Sequence, residues 1–236
     1  MSAPETAYPE LTPETARLLR ACRDWVRRYV VVSNEQAIVM AAWILHTWTI
    51  HAAAVTPYLH VCSAELSCGK STLLQVLRVV VREPRYTDNM SPAALARIVS
   101  TIRPTLLIDE LDAVLQADRE RAQDLRGILN GGFEQHGTYT RCVGREFKVE
   151  DFSTFCPKVL SGIGELWPTV ASRAIRIELR RKLASEGVDS FRIKRVHTEA
   201  EPLRRELEAW ADRAAPVLQG MNVPPDVPGL DNGRWT

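Results

Sequence analysis

No sign of charge dominates this sequence. Its 30 Lys and Arg stand against 29 Asp and Glu, a formal net charge of +1. That excludes a chain that coats a polyanion with its whole surface, so any basic interface must be local. Lysine is scarce, 5 against 25 Arg, so each lysine can be weighed on its own. Cysteine pairs of the C-x-x-C kind are absent: Cys22, Cys62, Cys68, Cys142 and Cys156 are scattered. Without such pairs, and without a signal peptide, they read as reduced thiols in a cytoplasmic protein. A clean membrane-length apolar run is missing too. Residues 37–55 come nearest, but His46, Thr47, Thr49 and His51 interrupt them and Pro57 follows. A buried helix is expected there, and no membrane partner. His46 and His51 lie five apart with no third ligand evident, and they read as core or surface histidines. No internal repeat is visible.

Against these absences stands one stretch, Ser63-Ala64-Glu65-Leu66-Ser67-Cys68-Gly69-Lys70-Ser71-Thr72. It ends as a phosphate-binding P-loop ends. The apolar residues of Tyr58-Leu59-His60-Val61-Cys62 predict a buried strand before it. Residues 71–82, with Leu73, Leu74, Val76, Leu77, Val79 and Val80, predict a helix after it. In such a strand–loop–helix, backbone N–H groups from residues 64–72 wrap phosphates, and the helix dipole favours their charge. Gly69 lets the backbone approach. Lys70 reaches the β- and γ-phosphates, and the Ser71 hydroxyl ligates Mg²⁺. The usual pattern has Gly where this chain has Ala64. Alanine resists positive φ, yet binding is expected to survive. The alternative is a scaffold that holds nucleotide without turnover.

The apolar run Thr105-Leu106-Leu107-Ile108 ends in Asp109-Glu110. Asp109 is expected to hold Mg²⁺ through water. Glu110 takes the place of the carboxylate that orients the attacking water in P-loop ATPases, or it caps the following helix. Asp112 reads as a cap or salt-bridge partner. ATP with Mg²⁺ is the expected ligand, since no Asn-Lys-x-Asp guanine-reading motif occurs.

The length and a composition that is 45% hydrophobic and 25% charged suit one α/β domain with modest additions. Residues 1–11, rich in Pro, Glu and Thr, are expected to be disordered. A helical block follows over 12–55: Thr12-Pro13-Glu14 starts one helix running to about Val32, and Ser33-Asn34-Glu35 starts another running to about Ala54. The P-loop core spans 56–183. Its further expected elements are strands at 85–87, 104–109, 158–161 and 174–179, and helices at 91–100 and 118–130. A β-hairpin turning at Gly144-Arg145 is also expected. Residues 184–236 form a C-terminal helical segment and tail, with a helix over Pro202–Ala215 and no element in 223–236. Strands alternating with helices predict a parallel sheet sandwiched by helices, with the site at the strand C-termini.

Several segments resemble a bacterial, phage and plasmid P-loop ATPase family of unknown function. They are Ala41-Ala42-Trp43-Ile44-Leu45-His46-Thr47, Thr56-Pro57-Tyr58-Leu59, Cys68-Gly69-Lys70-Ser71-Thr72-Leu73-Leu74, Met90-Ser91-Pro92-Ala93-Ala94-Leu95, Pro104 to Glu110, Leu125 to Asn130 and Ser172-Arg173-Ala174-Ile175. The resemblance covers roughly residues 35–215. It implies an ATPase of replication or mobile-element modules. Members continue past a Trp, so Trp235-Thr236 reads as a truncation point. The layout also resembles AAA+ and viral-type helicase ATPases. That likeness implies three more roles. Ser161 would sense the γ-phosphate. Arg173 would act as an arginine finger on a neighbour's ATP, which requires a homo-oligomer; otherwise it caps a helix or lies at a sheet edge. Arg141, Arg145 and Lys148 of the hairpin would contact nucleic-acid phosphates, or be ordinary surface charges. A sensor-2 arginine is not evident; Arg204 and Arg205 are candidates by position alone.

The expected function is therefore Mg²⁺-dependent ATP hydrolysis by an oligomeric, helicase-like motor acting on DNA, with replication or mobile-element proteins as partners. The alternative is an ATP-gated remodelling, regulatory or defence switch that does not touch DNA. A small-molecule kinase fits less well, because Glu110 and Arg173 would have no role and no arginine-rich lid is visible.

Overall fold

Serine and threonine hydroxyls start the helices that the sequence marks. The computed structural model describes residues 11–65, 67–88, 90–112, 119–144, 146–221, 230–231 and 234–235. The expected disorder of the leading residues falls almost wholly outside these. Helix α1 spans Pro13–Tyr29, with the Thr12 side chain accepting from the Thr15 amide and Pro at N1. Helix α2 spans Asn34–Trp48 behind a Ser33–Gln36 capping box. It stops six residues short of the expected end, and a 3₁₀ turn, Ile50–Ala52, follows. Strand β1, Tyr58–Cys62, leads into helix α3, Lys70–Arg78. The α3 helix ends four residues earlier than expected, although Val79, Val80 and Val81 remain buried beyond it. Then come β2 (Pro84–Thr87), α4 (Pro92–Ile102), β3 (Thr105–Ile108) and α5 (Arg119–Gly131). The hairpin is β4 (Thr138–Val143) paired antiparallel with β5 (Lys148–Ser153). Strand β6 (Lys158–Ser161), the short helix α6 (Pro168–Ala171) and strand β7 (Ala174–Glu178) complete the core.

Five parallel strands form the central sheet in the order β2-β3-β6-β1-β7. Side chains alternate across it. Leu59, Val61, Leu107, Val159 and Ile177 join one buried cluster with residues of α1, α2 and α3. Tyr58, Leu106, Ile108 and Leu160 join a second cluster with residues of α4, α5 and α6. The protein is thus α/β, with a parallel sheet between helical layers. Among the described residues no helix is long and apolar enough to cross a membrane.

The C-terminal helix differs from expectation. Helix α7 runs over Ile193–Gln219, 27 residues, with Pro202 and Pro216 inside it. Pro202, the expected first residue, lies about two and a half turns in. Burial of Val196, Ala200, Leu207 and Trp210 in the same cluster as α1 and α2 overrides the local signal. Ion pairs Arg28–Glu199 (2.9 Å) and Arg17–Glu206 (2.6 Å) accompany that packing. The tail, expected to be featureless, holds a small ladder of β8 (Leu230–Asp231) and β9 (Arg234–Trp235).

A buried lysine ties β6 to the segment after α5. Lys158 is fully buried, and its ammonium donates to the carbonyls of Gly132 (3.3 Å), Thr154 (2.9 Å) and Cys156 (2.9 Å). It also lies 4.9 Å from the Tyr58 ring centroid. Burial pulls its pKa below the usual lysine value, opposed by Cys156. Gly137 is required in the same region, since a Cβ there would sit 1.7 Å from the Gly131 carbonyl oxygen.

Candidate functional site

The loop between β1 and α3 takes its shape from two left-handed residues, Ser67 (φ 61°) and Gly69 (φ 89°). Ala64 is not among the residues with positive φ. The backbone therefore does not need glycine at that position, which removes the steric objection to this departure from the usual pattern. Gly69 is also the N-cap of α3, and no side chain caps the helix. The first amides of α3 are left open to an external acceptor. Lys70 donates to the Ser63 hydroxyl at 2.7 Å, and that hydroxyl donates to the Glu65 carbonyl at 2.6 Å. Two N–H groups of the Lys70 ammonium have no partner among the described residues.

Strand β3 delivers the acids. Asp109 is buried and accepts three hydrogen bonds among the described residues. Tyr86 donates to Oδ2 at 2.8 Å, while Ser161 (2.9 Å) and the Glu110 amide (3.1 Å) donate to Oδ1. Burial, then the bond to Asp109, pushes the Tyr86 phenol up to about 12, against a smaller lowering by Gln75. Tyr86 therefore stays a donor at any ordinary pH. Glu110 is exposed, has left-handed backbone (φ 52°) and makes no side-chain hydrogen bond or ion pair among the described residues. For a non-glycine residue that conformation stores strain, as functional positions often do. Asp112 accepts from the Ile163 amide at 3.0 Å and so fastens the loop after β6. The sequence suggests a cap or salt-bridge partner; among the described residues Asp112 makes no ion pair and holds a loop amide instead.

One cleft of about 490 Å³ gathers Ser67, Cys68, Gly69, Lys70, Ser71 and Thr72 from the loop and helix. Asp109, Glu110 and Asp112 after β3, and Gly162 and Ile163 after β6, close it. It lies at the carboxyl ends of adjacent strands β3, β6 and β1, where ligands bind in open parallel sheets. Ala64 and Glu65 face a second cavity of about 880 Å³ on the other side of the loop, with Cys68 in the wall of both. Its apolar lining comes from Val30, Val31, Val32, Leu179 and Val188. Leu66 lies outside the described residues.

The remaining candidates stand apart. Ser161 is fully buried behind Asp109, and its one hydroxyl hydrogen goes to that acid rather than toward the cleft. Arg173 precedes β7, whose Ala174 pairs with Tyr58 at the start of β1, so it sits at the end of the sheet opposite the loop. Its guanidinium donates to the Thr169 carbonyl and lies 5.9 Å from the Phe133 ring centroid. Arg141 pairs with Asp124 and donates to the Tyr139 hydroxyl at 2.6 Å. Lys148 is exposed, 4.0 Å from Glu150. Arg145 lies outside the described residues. His46 bonds through Nε2 to the Thr56 hydroxyl at 2.8 Å, and burial lowers its pKa to about 4. Arg204 and Arg205 both pair with Glu201.

Sequence reasoning missed Ser63 and Tyr86. A hydroxyl just before the loop was a weak signal for the first. A polar residue near the carboxyl end of a core strand was the only one for the second.

No protein-family model matches the chain, and no curated protein matches it. Among solved structures, the A form apo structure of the NrS-1 C-terminal region is similar at a TM-score of 0.40 and 14% identity. The match covers 92% of this chain and 47% of that one. At that level the likeness carries nothing about chemistry.

Proposed function

We propose that this chain binds a nucleoside triphosphate with Mg²⁺ and hydrolyses it. The observation that carries the reading is the meeting of Lys70 and Ser71 with Asp109 and Glu110 in one cleft. The open amides of α3 and the loop would hold the phosphates, and Lys70 would turn from Ser63 to their oxygens. Ser71 and Asp109 offer hard oxygen donors, which suit Mg²⁺, and would hold it. Bound there, the ion supplies neutralising charge to the β- and γ-phosphate oxygens. Glu110, with no partner among the described residues, would orient the attacking water. The cavity beside the loop, where Val30, Val31 and Leu179 meet Arg27, Glu178, Arg180 and Arg181, would take the nucleoside. Steady-state ATP hydrolysis by the wild type and Glu110→Gln tests this. Binding should persist in the variant while turnover falls at least about 100-fold. Equal turnover in the two removes Glu110 from catalysis.

The hairpin favours a nucleic-acid role for that turnover. Phe147 at its tip is 76% exposed beside the exposed Lys148, the pairing of aromatic face and cation that single strands use. This supports a helicase-like motor in replication or mobilisation of a phage or plasmid element. Arg173 acts in trans only if it leaves Thr169 for a neighbour's site. A remodelling, regulatory or defence switch without DNA is the alternative. Turnover that rises with single-stranded DNA favours the motor, and indifference favours the switch.

A further inference from the structure

Tyr86 belongs to β2, but its hydroxyl works on the neighbouring strand. Asp109 is held from both sides, by Tyr86 across from β2 and by Ser161 across from β6. Oδ1 has two donors, whereas Oδ2 has Tyr86 alone among the described residues. The same tyrosine also faces α3. The Arg78 guanidinium lies 5.7 Å from its ring centroid, and the Gln75 side chain acts on its hydroxyl. Gln75 is four residues after Ser71, hence on the same face of the helix. Tyr86 thus spans the gap between the helix that carries Ser71 and the strand that carries Asp109.

We propose that Tyr86 is a positioning residue for a divalent cation, fixing Asp109 relative to Ser71 so that the pair selects Mg²⁺ over larger ions. This rests on the reading of the cleft given above. Mg²⁺ demands near-ideal octahedral geometry at roughly 2.0–2.1 Å, whereas Ca²⁺ accepts looser shells at roughly 2.3–2.6 Å. An acid free to swing therefore loses Mg²⁺ far more than Ca²⁺. Groups that orient a metal ligand are worth about 10–100-fold in metal affinity.

The test is binding of a fluorescent ATP analogue to the full chain, titrated with free Mg²⁺ and separately with free Ca²⁺. Tyr86→Phe keeps the ring and its contact with Arg78 and removes only the hydroxyl. The expected result is a Mg²⁺ midpoint raised about 10-fold, a Ca²⁺ midpoint changed less than about 3-fold, and unchanged affinity for the analogue without metal. An unchanged Mg²⁺ midpoint overturns the proposal. So does an equal shift for both ions, which would mean lost charge stabilisation rather than lost geometry. If wild type binds the analogue with no metal dependence, the reading of the cleft itself fails, and that result does not involve Tyr86. If Tyr86→Phe lowers the thermal midpoint, Gln75→Leu leaves the tyrosine in place and takes over the test. A weaker loss of Mg²⁺ preference is expected from it, and no change in that variant overturns the proposal.

Discussion

Acidification should loosen this protein through His46. The ring sits in the last turn of α2 and ties that helix to Thr56, two residues before β1. Unfolded, it takes a proton below its ordinary value of 6.5; folded, burial keeps it neutral down to about 4. Between those values the unfolded chain binds the extra proton, so stability is fully present above 6.5 and falls as pH falls toward 4. The gap, at 1.36 kcal/mol per pH unit, comes to about 3 kcal/mol, of which about 2 kcal/mol goes between pH 7.5 and pH 5. The ring keeps some contact with solvent, so these are upper figures. Urea unfolding of wild type and His46→Gln at both pH values measures the difference. Glutamine can still bond Thr56 but does not titrate. The wild type should lose more stability than the variant by about 1–2 kcal/mol. His60 and His51, whose pKa values burial also lowers, titrate in both proteins and cancel. Equal losses would refute the assignment of acid sensitivity to His46.

Two further outcomes follow from the backbone and the core. Ser67→Gly should raise stability by about 0.5–1 kcal/mol, because only glycine holds φ near 61° without strain; a drop in the denaturation midpoint would show that the Ser67 side chain outweighs that strain. Lys158→Met should cost about 3 kcal/mol or more, since three buried carbonyls lose their donor; a loss below about 1 kcal/mol would mean that they find water or other partners.

Where local pattern and tertiary demand agree, the sequence is readable. Tyr58–Cys62 and Lys158–Ser161 match their expected bounds because both strands are buried along their whole length. The meeting of the loop with the acids was legible because each follows a buried apolar strand, and a parallel sheet brings the carboxyl ends of its strands to one cleft. Helix α7 was not, because a proline inside a helix looks the same in sequence as a proline that starts one. Packing of Val196 and Ala200 against the N-terminal helices decides between them. Tyr86 was not legible either. Its partner lies 23 residues away on an adjacent strand, and nothing in a strand's own sequence says which strand lies beside it.

Strand β6, lying between β1 and β3, has one more consequence. Neighbouring strands run roughly 4.8 Å apart, so the loop strand and the acid strand are about 9.6 Å apart. The spacer also brings its own following residues, Gly162 and Ile163, into the wall of the cleft between the loop and the acids. The spacer is anchored at its far end by Lys158 and its carbonyl cage. The strand that separates the loop from the acids is thus held at its amino end, by a residue that touches none of the groups proposed to do the chemistry.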